Sequence, residues 1–161
     1  AKRNIDLTVI MMSNYIYGMT GGQRAPTTPY GATTKTSPLG NEEHPFDMYT
    51  LMRGAGATFY ARCSVTQPVQ LQKAIEAGIK HKGFSFIECL SPCPTTAGRN
   101  IFNFKTPAEM YDWYDSQLCT LKKGEAEAPD GKIGLGILYV DDSREELCDV
   151  QAEKKKEAAG K

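Results

Sequence analysis

The sequence predicts an α/β domain with a mostly parallel sheet flanked by helices. Three apolar segments, 5–12, 57–63 and 84–90, have the length and composition of strands. Helical patterns lie between them, and alternating strands and helices imply right-handed crossovers and parallel pairing. The first segment, IDLTVIMM, is apolar almost throughout, as expected of a parallel strand covered on both faces.

Length and charge narrow the class of protein. The 161 residues suffice for one domain with its own core. Nineteen basic residues balance nineteen acidic ones, so no overall field would gather nucleic acid or an anionic membrane. No apolar run approaches the roughly 20 residues that span a bilayer, and the start lacks a signal peptide. We therefore expect a soluble, cytoplasmic protein with neither nucleic-acid nor membrane partners.

A long loop follows the first strand. Residues 18–40 contain no acidic side chain and are rich in Gly, Pro and Thr, and loops of this length in compact domains are usually functional or disordered. A short helix is expected after Asp47, ending at Gly54 or Gly56 before the second strand.

The second helix has the clearest pattern. From Pro68 onward, apolar or small residues recur at i, i+3, i+4, i+7 and i+8, beginning at Leu71. Gly83 stands where a left-handed helix cap is wanted, just before the third strand.

The C-terminal part has a different character. Thr106-Pro107-Ala108-Glu109 is a capping box, and the helix that it opens is expected to run to Gly124. Residues 132–140 are expected to form a strand or an extended arm. Residues 143–146 are a second capping box before the charged tail, which we interpret as a solvated helix frayed at its end.

The candidate ligand site lies at the carboxyl edge of the predicted sheet. Asn14 ends the first strand and Cys93 follows the third, so their loops should meet at one edge, where ligands of open parallel sheets collect. Backbone N–H groups and an absence of carboxylates suit the loop after Asn14 to a phosphate or diphosphate, which usually arrives with Mg²⁺. The N–H groups belong to Gly18, Thr20, Gly21 and Gly22. A glycine-rich turn that only reverses the chain is the alternative.

Other reactive side chains have simpler interpretations. The cysteine count is odd and no C-x-x-C occurs, which favours reduced thiols or a metal over a disulfide scaffold. We interpret four cysteines as small buried hydrophobes or bystanders: Cys63, Cys89, Cys119 and Cys148. His44 and His81 are expected at the surface, and Trp113 in a packing stripe. Arg24 either meets a substrate carboxylate or is a solvated loop arginine.

Several segments resemble one enzyme family in order along the chain. SNYIYGMTGGQRAPTTP, GATTKTSPLG, GAGATFYARC, AIEAGIKHKGFSFIECLSPCPT and GRN resemble the β subunit of 2-oxoacid:ferredoxin oxidoreductases. The resemblance covers residues 1–100, and 101–161 match the variable C-terminal part of that subunit only loosely. It implies that 1–100 are part of a thiamine-diphosphate-binding domain, incomplete at its N-terminus, and that 101–161 are a C-terminal helical extension and tail.

The resemblance also implies ligands. The Asn14 side chain and the Ile16 carbonyl would bind Mg²⁺, with Gly18, Thr20, Gly21 and Gly22 along the thiamine diphosphate. Cys93 would be the fourth ligand of a 4Fe-4S cluster. The family's Gly-Asp-Gly segment, which supplies an acidic Mg²⁺ ligand, and its three other cluster cysteines are missing from this sequence. A cubane needs about four ligands, so either these parts were lost from the chain or they lie in a preceding segment or another polypeptide. We expect a missing N-terminal portion.

The function implied is oxidative decarboxylation of a 2-oxo acid to acyl-CoA and CO₂, with electrons passed through iron–sulfur clusters to ferredoxin. The expected partners are the other subunits (α, with γ and δ in some enzymes), ferredoxin, the 2-oxo acid and coenzyme A, and the chain alone is expected to be inactive. One alternative is a non-redox thiamine-dependent lyase or transferase, in which Cys93 is only a turn residue. A catalytically idle subunit-interaction module of the same fold is another.

Overall fold

The fold is a five-stranded sheet with helices on both faces and a two-stranded ribbon at one edge, seen in a computed structural model that describes residues 1–125 and 127–160. The strands are β1 (Leu7–Ser13), β2 (Ile16–Tyr17), β3 (Gln23–Arg24), β4 (Phe59–Ser64), β5 (Phe84–Leu90), β6 (Leu118–Thr120) and β7 (Ile133–Val140). The helices are α1 (Met48–Gly54), α2 (Pro68–Lys80), α3 (Ala97–Asn100), α4 (Pro107–Ser116) and α5 (Leu147–Ala159).

The sheet has the order β1-β5-β4-β7-β6. β5 pairs in parallel with both β1 and β4, β6 pairs in parallel with β7, and only the β4–β7 pair is antiparallel. The predicted mostly parallel α/β sheet is confirmed. The two strands from the C-terminal part of the chain, β6 and β7, run antiparallel to the other three.

Side chains of β4 and β5 alternate between two cores. On one face, Tyr60 and Phe86 pack with Met48 of α1. On the other, Phe59 and Ile87 pack beneath α2. Because side chains of a strand alternate in direction, β4 and β5 feed both cores and form the centre of the domain.

The prediction that the first strand is covered on both faces is wrong. β1 is an edge strand with β5 as its only neighbour in the described sheet. Ile10 and Met12 are 44% and 58% exposed, and Ser13 is the one fully buried residue of the strand. The apolar composition of this strand therefore did not reveal that it lies at the edge of the sheet.

Gly83 is not a helix cap. α2 ends at Lys80, and His81, in extended conformation, caps it instead. Gly83 is required for another reason: it has φ +133°, and a Cβ there would lie 2.5 Å from the Asn4 Oδ1. His81 also corrects the expectation of a surface residue, because its side chain is 6% exposed and its Nε2 lies 2.8 Å from the Thr58 hydroxyl. His44 is exposed, as predicted.

The helix predicted to reach Gly124 ends at Ser116. The Thr106 hydroxyl accepts from the Glu109 N–H at 3.2 Å, so the N-cap is confirmed, but the Glu109 carboxylate accepts from Lys105 N–H instead of completing the box. After Gln117 the chain buries Leu118 and pairs as β6 with β7.

The rest of the C-terminal part contains one confirmed strand and one misplaced cap. Residues 133–140 form β7, as one of the two expected alternatives. The helix α5 begins after Glu146, whose carboxylate accepts from Asp149 N–H, so Ser143 is not its cap. The helix buries none of its residues, as expected of a solvated helix, and residue 161 lies outside the described residues. None of the helices described is both long and apolar enough to cross a bilayer.

Candidate functional site

The glycine-rich segment after β1 folds as a tight turn on the β2–β3 ribbon. The N–H groups of Gly21 and Gly22 donate to the carbonyls of Gly18 and Tyr17, at 3.1 and 2.9 Å. Both glycines have positive φ, +105° and +97°, which side-chain-bearing residues rarely adopt.

Thr20 stands at the exposed tip of this turn. Its hydroxyl donates to the Gln23 Oε1 at 2.5 Å, and the Gln23 amide donates back to the Thr20 carbonyl at 2.8 Å. The N–H groups of Met19 and Thr20 donate to no acceptor in the part of the chain that the structure describes. The same holds for the N–H of Gly18, so these three N–H groups, and not those of Gly21 and Gly22, are free to meet an anion in this conformation.

The turn after β1 and the turn after β5 meet, as predicted from the strand ends. A Cβ built on Gly18 would lie 3.2 Å from the Cys93 Sγ, and one built on Gly22 would lie 2.8 Å from the Thr96 Cγ2. At Gly22 an added side chain would force a shift of its surroundings, and at Gly18 it would be tighter than an ordinary contact, so the two glycines place the candidate diphosphate turn against Cys93 and Thr96.

The two predicted Mg²⁺ ligands flank a left-handed residue. Tyr15, between Asn14 and Ile16, has φ +64°. The Asn14 Oδ1 accepts from the Ile16 N–H at 3.4 Å, so the carboxamide is folded back along the chain. A carboxamide and a carbonyl oxygen are the hard ligands that Mg²⁺ takes.

Cys93 is the distinctive thiol of the chain. Burial opposes its ionisation, but hydrogen bonds from Thr95, Thr96 and the Ala97 N–H outweigh burial and lower the pKa of Cys93 to about 7. Cys63 and Cys89 are buried, as predicted, and burial raises the pKa of both thiols. A partly exposed thiolate at the carboxyl edge has the character of a metal ligand.

The donor set is incomplete for either metal group. Within 1–125 and 127–160 no cluster of three or more His, Cys, Asp or Glu residues could hold a metal ion. The oxygens of Asn14 and Ile16 fit part of an octahedral Mg²⁺ shell, the remainder of which must come from a diphosphate, water or another segment. Cys93 by itself does not fit a four-iron cluster, which needs four thiolates.

A cavity of about 360 Å³ adjoins Asn14. Its walls are mostly apolar and include Met11, Met12, Phe46 and Leu51. Arg24, in this loop, forms an ion pair with Glu43 at 2.8 Å, and its side chain is 36% exposed.

The sequence reasoning missed a buried charged group beneath the site. The Glu88 carboxylate, on β5 and 5% exposed, accepts from the Tyr60 hydroxyl at 2.5 Å and the Arg62 Nε at 2.6 Å. Burial raises the pKa of Tyr60, and the carboxylate raises it further. Arg62 and Glu88 are register partners on neighbouring strands, and opposite charges in two otherwise apolar strands are the signal that could have found them.

Comparison with known proteins assigns the class. Residues 1–89 match the family described as thiamine pyrophosphate enzyme, C-terminal TPP binding domain. The chain therefore belongs to the thiamine pyrophosphate enzyme family, through that domain.

Individual relatives confirm the resemblance to oxidoreductase β subunits. The chain is 44% identical over 152 residues to the 2-oxoglutarate synthase subunit KorB of Methanothermobacter marburgensis, covering 92% of this chain and 53% of the relative. It is 32% identical to 2-oxoacid:ferredoxin oxidoreductase 2, subunit beta, of Aeropyrum pernix, covering 89% of this chain and 51% of the relative.

A solved structure agrees. A chain of the 2-oxoglutarate:ferredoxin oxidoreductase from Magnetococcus marinus, with 2-oxoglutarate, coenzyme A and succinyl-CoA bound, superposes with a TM-score of 0.84 at 26% identity, covering 99% of this chain and 55% of that one. The present chain thus spans about half the length of the proteins it matches.

Proposed function

We propose that this chain is the thiamine-diphosphate-binding part of the β subunit of a 2-oxoacid:ferredoxin oxidoreductase. The observation that carries the proposal is the turn at 18–22, packed against Cys93 beside Asn14 in the segment that matches the family. The complete enzyme would decarboxylate a 2-oxo acid oxidatively and form acyl-CoA, as the names of its relatives suggest.

In this proposal the chain binds and orients the cofactor. Asn14 Oδ1 and the Ile16 carbonyl would hold Mg²⁺, and the turn 18–22 would lie along the diphosphate, with the Met19 and Thr20 N–H groups as donors. The adjoining apolar cavity would exclude water from the rings of thiamine. Bound thiamine diphosphate supplies the electron sink for decarboxylation.

Cys93 would contribute one thiolate to a 4Fe-4S cluster whose other ligands lie outside this chain. Its sulfur is partly exposed, and hydrogen bonds lower its pKa to about 7, which supports such a role. Electron transfer towards ferredoxin is the chemistry that such a cluster would supply. Exposed apolar side chains beside the site, among them Met12, Tyr17 and Phe46, suit contact with the other subunits of the enzyme.

The test is Asn14→Ala in the complete protein. This substitution removes an oxygen ligand of Mg²⁺. The affinity for thiamine diphosphate in the presence of Mg²⁺ should therefore fall by at least about tenfold, since losing a residue that only supports a metal ligand already lowers metal affinity by about that factor. Calorimetric titration measures it. Gln72→Ala, which removes a carboxamide from the exposed side of α2, is the matched control and should leave the affinity unchanged.

Outcomes separate the rivals. Unchanged affinity in Asn14→Ala would contradict the metal assignment. Tight thiamine diphosphate binding without iron and sulfide would favour the non-redox lyase or transferase. If the complete protein bound no thiamine diphosphate, the catalytically idle subunit-interaction module would be the remaining interpretation.

A further inference from the structure

One strained residue connects the candidate Mg²⁺ site with the C-terminal part of the chain. Tyr15 has φ +64°, a conformation that favours glycine and is uncommon for an aromatic residue. Such a residue persists where its surroundings hold it, and such positions cluster at functional sites.

Contacts hold Tyr15 at both ends. Its carbonyl accepts from the fully buried Thr28 hydroxyl at 2.6 Å. Its own hydroxyl lies 3.1 Å from that of Tyr114, which is 1% exposed on α4. The ring also meets Phe102 and Tyr114 edge-on, with centroids 6.0 and 6.2 Å away.

The left-handed backbone of Tyr15 determines how its neighbours are presented. Asn14 and Ile16 are its immediate neighbours, and the 3.4 Å contact between the Asn14 Oδ1 and the Ile16 N–H depends on the turn at Tyr15. If Tyr15 relaxed to the extended region, this contact would be lost, and the Ile16 carbonyl would point in a different direction relative to the Asn14 side chain.

We propose that Tyr15 is a positioning residue for Mg²⁺, held in its left-handed conformation by the hydroxyl of Tyr114. This inference rests on the proposed function. Helix α4, which carries Tyr114 and neither of the two proposed ligands, then sets the geometry of the metal site through this hydrogen bond.

The experiment uses Tyr114→Phe, Tyr15→Phe and the double variant in the complete protein. The readout is the Mg²⁺ concentration that half-saturates thiamine diphosphate binding, measured by calorimetry. Each single variant should raise this concentration by about 2- to 10-fold, the range expected for one lost hydrogen bond. The double variant should raise it no further, because both substitutions remove the same contact.

Tyr111→Phe is the matched control. It lies on the same helix, and its hydroxyl has no hydrogen-bond partner in the described chain, so the Mg²⁺ requirement should not change. A variant that lowers thermal stability but leaves the Mg²⁺ requirement unchanged would overturn the positioning role. If the unsubstituted protein binds no thiamine diphosphate at any Mg²⁺ concentration, the proposed function itself fails and this inference with it.

Discussion

Strands β1 and β5 lie side by side in parallel register, are both largely apolar, and differ in burial. All seven residues of β5 are buried, whereas β1 buries only Ser13. The contrast is clearest at one pair of register partners, because Ile87 on β5 is 0% exposed and Ile10 on β1 is 44% exposed.

The difference comes from neighbours and not from side-chain chemistry. β5 has a strand on each side and a core on each face, while β1 has one neighbour and exposed apolar residues. The same contrast continues into the following turns. The turn after β1 exposes Thr20 and Gly21, and the turn after β5 leads into the buried Ala97 and Gly98. The chain is thus more buried on the β5 side and more accessible to a ligand on the β1 side.

The largest expected effect is on the free energy of unfolding, when the register partners Ile87 and Ile10 are each replaced by alanine. Ile87→Ala should lower the free energy of unfolding by about 2–5 kcal/mol, because it leaves a cavity between packed side chains. Ile10→Ala should cost about 1 kcal/mol or less, as at other surface positions. Urea unfolding of both variants measures the difference. Equal costs would break the comparison and indicate that β1 is covered in solution.

The sequence predicted the elements around β5 well. After residue 100 it predicted β7 and the start of α4, but it missed β6 and the end of α4. The limits of β5 and the start of α2 were predictable because an apolar run and a helical period each spanned a whole element. β6 was missed because it is three residues long and follows a helix without a Gly or Pro to end it. Which strand forms the edge depends on pairing between distant segments, and no local pattern records it.

Two glycines of the loop after β1 differ in whether they contact the turn after β5, and alanine substitutions at the two should therefore differ in their cost in stability. Gly22→Ala should cost roughly 2–3 kcal/mol, since φ is +97° and the new methyl would lie 2.8 Å from the Thr96 Cγ2. Gly31→Ala, at φ +77° with no atom within 4 Å of the added Cβ, should cost only about 1 kcal/mol.

The decisive measurement is a double-mutant cycle. Thr96→Ser removes the clashing methyl and keeps the hydroxyl, so it should recover part of the loss in Gly22→Ala and none in Gly31→Ala. If Thr96→Ser rescued neither, the two turns would not be in contact as described.

The candidate site was predictable only in part. Asn14, the glycine turn and Cys93 follow from strand ends and composition, because parallel strands bring their carboxyl ends to one edge. The roles of these residues stay predictions. The support from Tyr114, one hundred positions away from Asn14, could not be predicted, since it depends on how α4 packs. The use of the Gly21 and Gly22 N–H groups within the turn is likewise a detail of folded geometry.

The smallest expected effect concerns the pH dependence of stability at Cys93, in cluster-free protein. The pKa of this thiol is lowered to about 7 in the folded chain, from an ordinary value of 9.0. A lowered pKa means that the thiolate stabilises the fold fully above pH 9, and that this contribution is lost as the pH falls towards 7. Because the side chain is partly exposed and screened, we expect less than about 1 kcal/mol. The difference in unfolding free energy between the unsubstituted chain and Cys93→Ala, measured from pH 6 to 9, should follow this window.

Alkylation in a Cys119→Ser/Cys148→Ser background gives an independent check. The rate should have its midpoint near pH 7 for Cys93, and the buried Cys89 on β5 should react little. A midpoint near 9 would mean that the hydrogen bonds from Thr95 and Thr96 are not formed in solution, and the turn after β5 would then be looser than the strand that precedes it.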